Sequence, residues 1–356
     1  MSAKSFPWVG RFQLSRVIGT FVPVLSYYGV ATPLSVARCL LVAVTVGGYA
    51  LFGGGSTAYG FSYTTWTTVN AYNVSLVRST PTALSAPRGK LAATTIGNYA
   101  LFGGGQDITS GGNQILRNTV DAYDASLVRS TPTALSVARY GLAATTVGNY
   151  ALFGGGADGY NSLTTVDAYN TSLVRSTPTV LSWPRDGLTA TTVGNYAIFG
   201  GGSNSGATGV RFDAYNTSLV RSNPVTLSAA RTNLAATTIG GYALLGGGLL
   251  TSPSAVVDAF NTSLVRSTPT VLSVARSHLA ATTVGNYALF GGGKAAVVSA
   301  VVDAYDTSLI RSIPTVLSVA RWQLAATTIG TYALFGGGLA DAAGSFRSAV
   351  DAYQYS

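Results

Sequence analysis

The hydrophobic positions of this chain fall into short runs set off by glycine and polar turns. A run of small and β-branched residues, LAATTV at 142–147, ends at Gly148-Asn149. A second run, Tyr150-Ala151-Leu152-Phe153, leads into three consecutive glycines. After a segment of variable length comes Val166-Asp167-Ala168-Tyr169, then the polar triplet Asn170-Thr171-Ser172, then a stretch from 173 to 182 that carries an arginine and a proline. Runs this short, rich in Val, Thr and Tyr and bounded by Gly and Asn, read as strands joined by tight turns. We label them a, b, c and d.

The set recurs seven times, each copy marked by a glycine triplet, at 53–55, 103–105, 154–156, 200–202, 246–248, 291–293 and 336–338. A repeat of about 45 to 51 residues signals an architecture in which each unit buries its apolar face against its neighbours. Pro178 and its counterparts Pro81, Pro132, Pro224, Pro269 and Pro314 place strand d at a sheet edge, since proline cannot donate to a ladder. Arg175 and its counterparts read the same way, as charges that discourage pairing with other strands. The Ala- and Thr-rich strand a suits the crowded inner end of a wedge. The expected fold is all-β: a seven-bladed β-propeller of four-stranded antiparallel blades.

The ends predict how the ring shuts. The chain stops on a c strand, Val350-Asp351-Ala352-Tyr353, and opens on a d-like segment at 32–38 whose Leu34-Ser35-Val36-Ala37-Arg38 matches Leu272-Ser273-Val274-Ala275-Arg276. That N-terminal strand is expected to complete the last blade, giving a propeller over 32–356 and a monomer. Residues 1–31 lie outside the repeat. Lys4, Arg11 and Arg16 precede an apolar stretch ending at Gly29-Val30-Ala31, so this tail has features of an export signal. No run is long and clean enough for a transmembrane helix.

The pattern resembles the kelch repeat: an apolar strand and glycine pair (Leu289-Phe290-Gly291-Gly292), a tyrosine further on (Tyr305) and an arginine before the next unit (Arg321). The tryptophan usual on the kelch outer strand is missing from every unit. The resemblance implies a seven-bladed propeller that binds other molecules, without naming one.

Composition narrows the chemistry. Hydrophobic residues make up 47% and charged residues only 9%, and there is no glutamate, which argues against helix. The formal charge is +9, carried mostly by arginines spaced once or twice per repeat, so it reads as structural and no nucleic-acid partner is expected. Cys39 is the only cysteine and His278 the only histidine. A copper radical site of the galactose oxidase kind needs two histidines and a Tyr–Cys crosslink, and a sialidase site needs a glutamate. No metal or cofactor is expected, and no catalytic residues. Asp167, Asp213, Asp258 and Asp303 recur with Arg185, Arg231, Arg276 and Arg321, which suggests paired charges stapling blades together. Asn170-Thr171-Ser172 and its copies fit an N-glycosylation acceptor and equally fit a turn.

The units are near copies, so their differences carry information. Two places vary: the b–c loop after the glycine triplet, and the residue pair after the d–a arginine. Those pairs are Cys39-Leu40, Gly89-Lys90, Tyr140-Gly141, Asp186-Gly187, Thr232-Asn233, Ser277-His278 and Trp322-Gln323. In an up-and-down blade both places fall on one face, around the channel mouth, while the near-constant turns fall on the other. Candidate contacts on this face are Tyr59, Phe61, Tyr63 and Trp66 in the first b–c loop, with Lys90, Tyr140, Tyr160, Trp183, Asp186, Asn233, His278 and Trp322 in later units. Aromatic and charged residues of this kind anchor interfaces. A non-enzymatic scaffold binding a protein partner is expected, with glycan binding or cell-surface adhesion through the aromatics as the alternative.

Overall fold

The computed structural model describes residues 24–59, 62–109, 112–341 and 344–356. The chain is a seven-bladed β-propeller: seven four-stranded antiparallel sheets follow one another, each ordered a-b-c-d from the axis outward. In blade 3, a is Ala143–Val147, b is Tyr150–Gly154, c is Val166–Asn170 and d is Arg175–Ser176. Blade 1 starts with a strand at Val42–Val46 and blade 7 with one at Ala325–Ile329.

The core lies between blades. Val147, Leu152, Val166 and Ala168 of blade 3 pack with Ala197, Phe199 and Tyr215 of blade 4, and the other seams repeat this. No unit could bury this surface alone, so stability is a property of adjacent pairs and of closure. The glycine triplet follows from the same packing. A Cβ on Gly154 would lie 2.7 Å from the Phe199 ring of the next blade. A Cβ on Gly155, at φ +67°, would lie 2.6 Å from the Arg185 carbonyl oxygen. The first glycine is a seat for the next blade's aromatic ring, and the second is a backbone contact in the left-handed region.

The ring closes by three sets of bonds. Thr95 Oγ1 donates to Thr45 O at 2.6 Å, and Thr45 Oγ1 donates to Thr328 O at 2.5 Å, continuing a circuit of threonine hydroxyls across all seven a strands. These glycine seats run full circle, filled by Phe at six blades and by Leu245 at Gly200, with Phe52 of blade 1 on Gly336 of blade 7. The third set is the closing strand, and here the expected position is corrected. It is Leu25–Ala31, paired antiparallel with Val350–Tyr355. The segment at 32–38 is the d–a link that follows. It resembles Leu272–Arg276 because both are links, and the strand before it was hidden because it lacks the Leu-Val-Arg-Ser signature.

Strand d is also shorter than expected. Only Arg175–Ser176 pairs with c, and Pro178 lies beyond the ladder. The rest of the stretch crosses back over the b–c loop, where Leu181 N–H donates to Thr164 O at 2.8 Å. The outer arginines do not act as repelling edge charges. Arg175 Nη1 donates to Asp167 Oδ1 at 2.8 Å, while Arg139, fully buried in the preceding link, donates to Oδ2 at 2.8 Å. Each buried aspartate thus holds one arginine from its own blade and one from the incoming link, which is the stapling expected, with two arginines in place of one. Blade 7 substitutes Tyr27, whose hydroxyl donates to Asp351 Oδ1 at 2.6 Å. Blade 1 has Asn70 in place of the aspartate, at 3.1 Å from Arg38 Nη2. Eleven arginines pair with six aspartates in these staples, an excess of five that makes up more than half of the net charge of +9.

Candidate binding face

Both variable segments lie on one face, and they bond to each other there. Tyr140 N–H donates to Ala157 O at 3.1 Å and Ala157 N–H donates back at 2.8 Å, joining the d–a pair to the start of the b–c loop. The same bridge recurs as Cys39–Ser56, Gly89–Gln106, Asp186–Ser203, Thr232–Leu249, Ser277–Lys294 and Trp322–Leu339. On the opposite face the constant turns touch: a Cβ on Gly148 would meet the Thr217 side chain at 3.1 Å. The Asn-Thr-Ser triplets are turns, with Asn170 Oδ1 accepting from Ser172 and Val174 N–H at 3.0 and 2.9 Å. In the Gly-Asn turns, only the glycine takes positive φ.

The second residue of each variable pair builds a feature the sequence did not announce. Leu40, Lys90, Gly141, Gly187, Asn233, His278 and Gln323 all have φ between 51° and 65°. Each N–H donates to the carbonyl of its counterpart in the preceding unit: Lys90 to Leu40 at 3.1 Å, Gly141 to Lys90 at 2.9 Å, and so on to Leu40 back onto Gln323 at 3.1 Å. Seven backbone bonds make a closed collar round the channel mouth. Non-glycine residues in this region are uncommon, and the collar's bond offsets the strain.

The collar surrounds a cavity of about 420 Å³ floored by a ring of leucines, among them Leu91, Leu142 and Leu188. Of the candidate contacts, Lys90, Tyr140, Asp186, Asn233 and His278 line it. Gln323 and Gly141 also line it. Their signal was present, because each belongs to a diversified pair. Lys90 Nζ stands 5.0 Å from the Tyr140 ring centroid, and burial pulls its pKa down, against the opposing pull of Asp186. His278 is half-buried in the collar. It stacks edge-on to Trp322 at 5.3 Å, and burial, with Lys294 and Lys90 nearby, lowers its pKa to about 4, so it is neutral at physiological pH. Lys294, which the sequence reading passed over, lies 4.7 Å over the Trp322 ring. Cys39 sits in the link before strand a of blade 1, and burial pushes its thiol up to about 11.

Tyr160, Trp183 and Trp66 do not line the cavity. Tyr160 is 94% exposed on its b–c loop. Trp183 packs on Gly209, where a Cβ would lie 2.8 Å from its ring. Trp66 is half-buried, with Nε1 donating to Thr57 Oγ1 at 3.4 Å. Tyr59 and Tyr63 lie on the paired strands Ser56–Tyr59 and Ser62–Thr65 of the first loop, and Phe61 falls outside the described residues.

What the fold and this face define is a class, the β-propellers, whose members commonly serve as interaction scaffolds. Compared with models of protein families and with curated proteins, the chain matches none.

Proposed function

We propose that this chain is a kelch-like, non-enzymatic scaffold that presents the collar face to a protein partner. One observation carries the reading. Seven positions with the same φ and the same backbone bond hold Leu, Lys, Gly, Gly, Asn, His and Gln, while the strands behind them are nearly identical. The backbone satisfies itself through the collar and the bridges, so its hydrogen bonds do not depend on which side chain stands at these positions. Variation gathers where side chains meet solvent, and a fixed scaffold bearing variable surface residues is how binding faces are built.

The glycan reading is weaker. A sugar-stacking platform needs an open ring face, whereas Trp322 is covered by Lys294 and His278, and Trp183 is packed on Gly209.

The test uses a sequence the fold already tolerates. Asp186-Gly187 is native in unit 4, so replacing the other six pairs with Asp-Gly preserves the collar's conformation. The expected result is a propeller that still folds, with a wild-type circular-dichroism spectrum and cooperative melting, and loss of the proteins captured by the wild-type propeller from a source-cell lysate. Capture that survives the swap puts the partner elsewhere.

A further inference from the structure

Beyond a protein partner, we infer that the collar cavity is a binding site for a small zwitterion bearing an apolar group, of the class of free apolar amino acids. The observations are a pair of opposite charges that do not meet and an apolar floor beneath them.

Lys90 and Asp186 face the same cavity from units 2 and 4, with Gly141 of unit 3 between them. No ion pair joins them, and among the described residues Lys90 Nζ has no hydrogen-bond acceptor. Asp186 Oδ1 accepts only long bonds from the hydroxyls of Ser162 and Ser203, at 3.3 and 3.4 Å. A half-buried cation and a weakly satisfied carboxylate are both costly unless paired. A ligand spanning the gap with its carboxylate on Lys90 and its ammonium on Asp186 satisfies both.

The gap is open because unit 3 has glycine where unit 1 has Leu40. A Cβ on Gly141 would stand 3.6 Å from the Asp186 Cβ, in ordinary contact. Below lies the leucine ring, which suits an apolar side chain. Asn233, His278 and Gln323 complete the rim, and each is neutral and able to donate or accept. A volume of about 420 Å³ is at the small end of ligand pockets, which run from roughly 300 to 1,000 Å³.

Other units supply the controls. Gly141→Leu copies unit 1 and fills the gap, Lys90→Gln copies unit 7, and Asp186→Ser copies unit 6. Each places a residue that the same backbone already carries in this chain. The experiment is titration calorimetry of the full chain with L-leucine and L-phenylalanine, and with N-acetyl-leucine and leucinamide, which each lack one charge. We expect saturable one-to-one binding of at least one free amino acid. It should be lost in Gly141→Leu and weakened at least tenfold in Lys90→Gln and in Asp186→Ser, with both single-charge analogues weakened similarly. Absence of binding at millimolar ligand, binding unmoved by these variants, or equal binding of the analogues overturns the proposal. None of these outcomes touches the protein-partner reading, which stands or falls on lysate capture.

Discussion

Blade 1 carries the one staple without a carboxylate, and restoring it should strengthen the seam where the ring closes. Arg38 is fully buried, and its guanidinium reaches Asn70 Oδ1 at 3.1 Å, Phe52 O at 3.2 Å and Val36 O at 3.1 Å. Burial lowers its pKa from 12.5 to about 10, opposed only by Tyr72 and by no carboxylate. A base whose folded pKa is lowered binds its proton less tightly folded than unfolded. The cost is therefore fully present at neutral pH, is relieved only above about pH 10, and comes to about 3 kcal/mol at 1.36 kcal/mol per unit. In Asn70→Asp the new carboxylate finds its donors in place. Ser35 N–H is already 3.3 Å from Oδ1, and Arg78, which now donates to Pro33 O, can turn to it as Arg175 does to Asp167. Part of the gain is lost to desolvating the carboxylate, so the net stabilisation expected is about 1 to 2 kcal/mol. With an unfolding entropy near 2 cal/mol/K per residue, that raises Tm by about 1 to 3 °C for a chain of this size. The reverse change, Asp167→Asn, strands two arginines and should cost about 3 to 5 kcal/mol. Scanning calorimetry of the two variants beside the wild type decides the matter. If Asn70→Asp lowers Tm, or Asp167→Asn leaves it unchanged, the carboxylate is not what holds the paired arginines.

Two further predictions concern backbone and pH. Gly155→Ala places a Cβ 2.6 Å from the Arg185 carbonyl oxygen at φ +67°, so it should destabilise by about 2 kcal/mol or more. The check is urea unfolding, and a midpoint equal to wild type would refute the packing argument. His278, lowered from 6.5 to about 4, takes up its proton more readily when unfolded, so stability is full above about pH 6.5 and falls as pH drops toward 4. His278→Asn, the residue of unit 5, should flatten that part of the stability–pH curve relative to wild type. Parallel curves would mean that the imidazole is not buried as described.

The strand order, the blade count and the face on which variation gathers were legible in the sequence. They depend on local chemistry repeated seven times: β-branched runs, glycine turns, a proline that cannot join a ladder. The closing strand was not legible, since Leu25–Ala31 lacks the arginine signature and is defined only by its pairing with Val350–Tyr355. The Asp–Arg pairing was readable from recurrence. That the carboxylate also takes an arginine of its own blade, as Asp167 takes Arg175, was not, because the strand-d arginines read as exposed edge charges.

The collar marks the same boundary most clearly. Sequence alone determined that two residues per unit vary and that they sit together at the channel mouth. Only the closed tertiary structure decided that the second of each pair adopts the left-handed conformation and bonds to its counterpart in the unit before. That bond joins residues 45 to 51 positions apart, and 283 apart where Leu40 meets Gln323, so it exists only where neighbouring blades are docked and the ring is shut. No local preference specifies it: Leu, Lys, His and Gln all avoid that region of backbone space, and the closure of the ring is what holds them there.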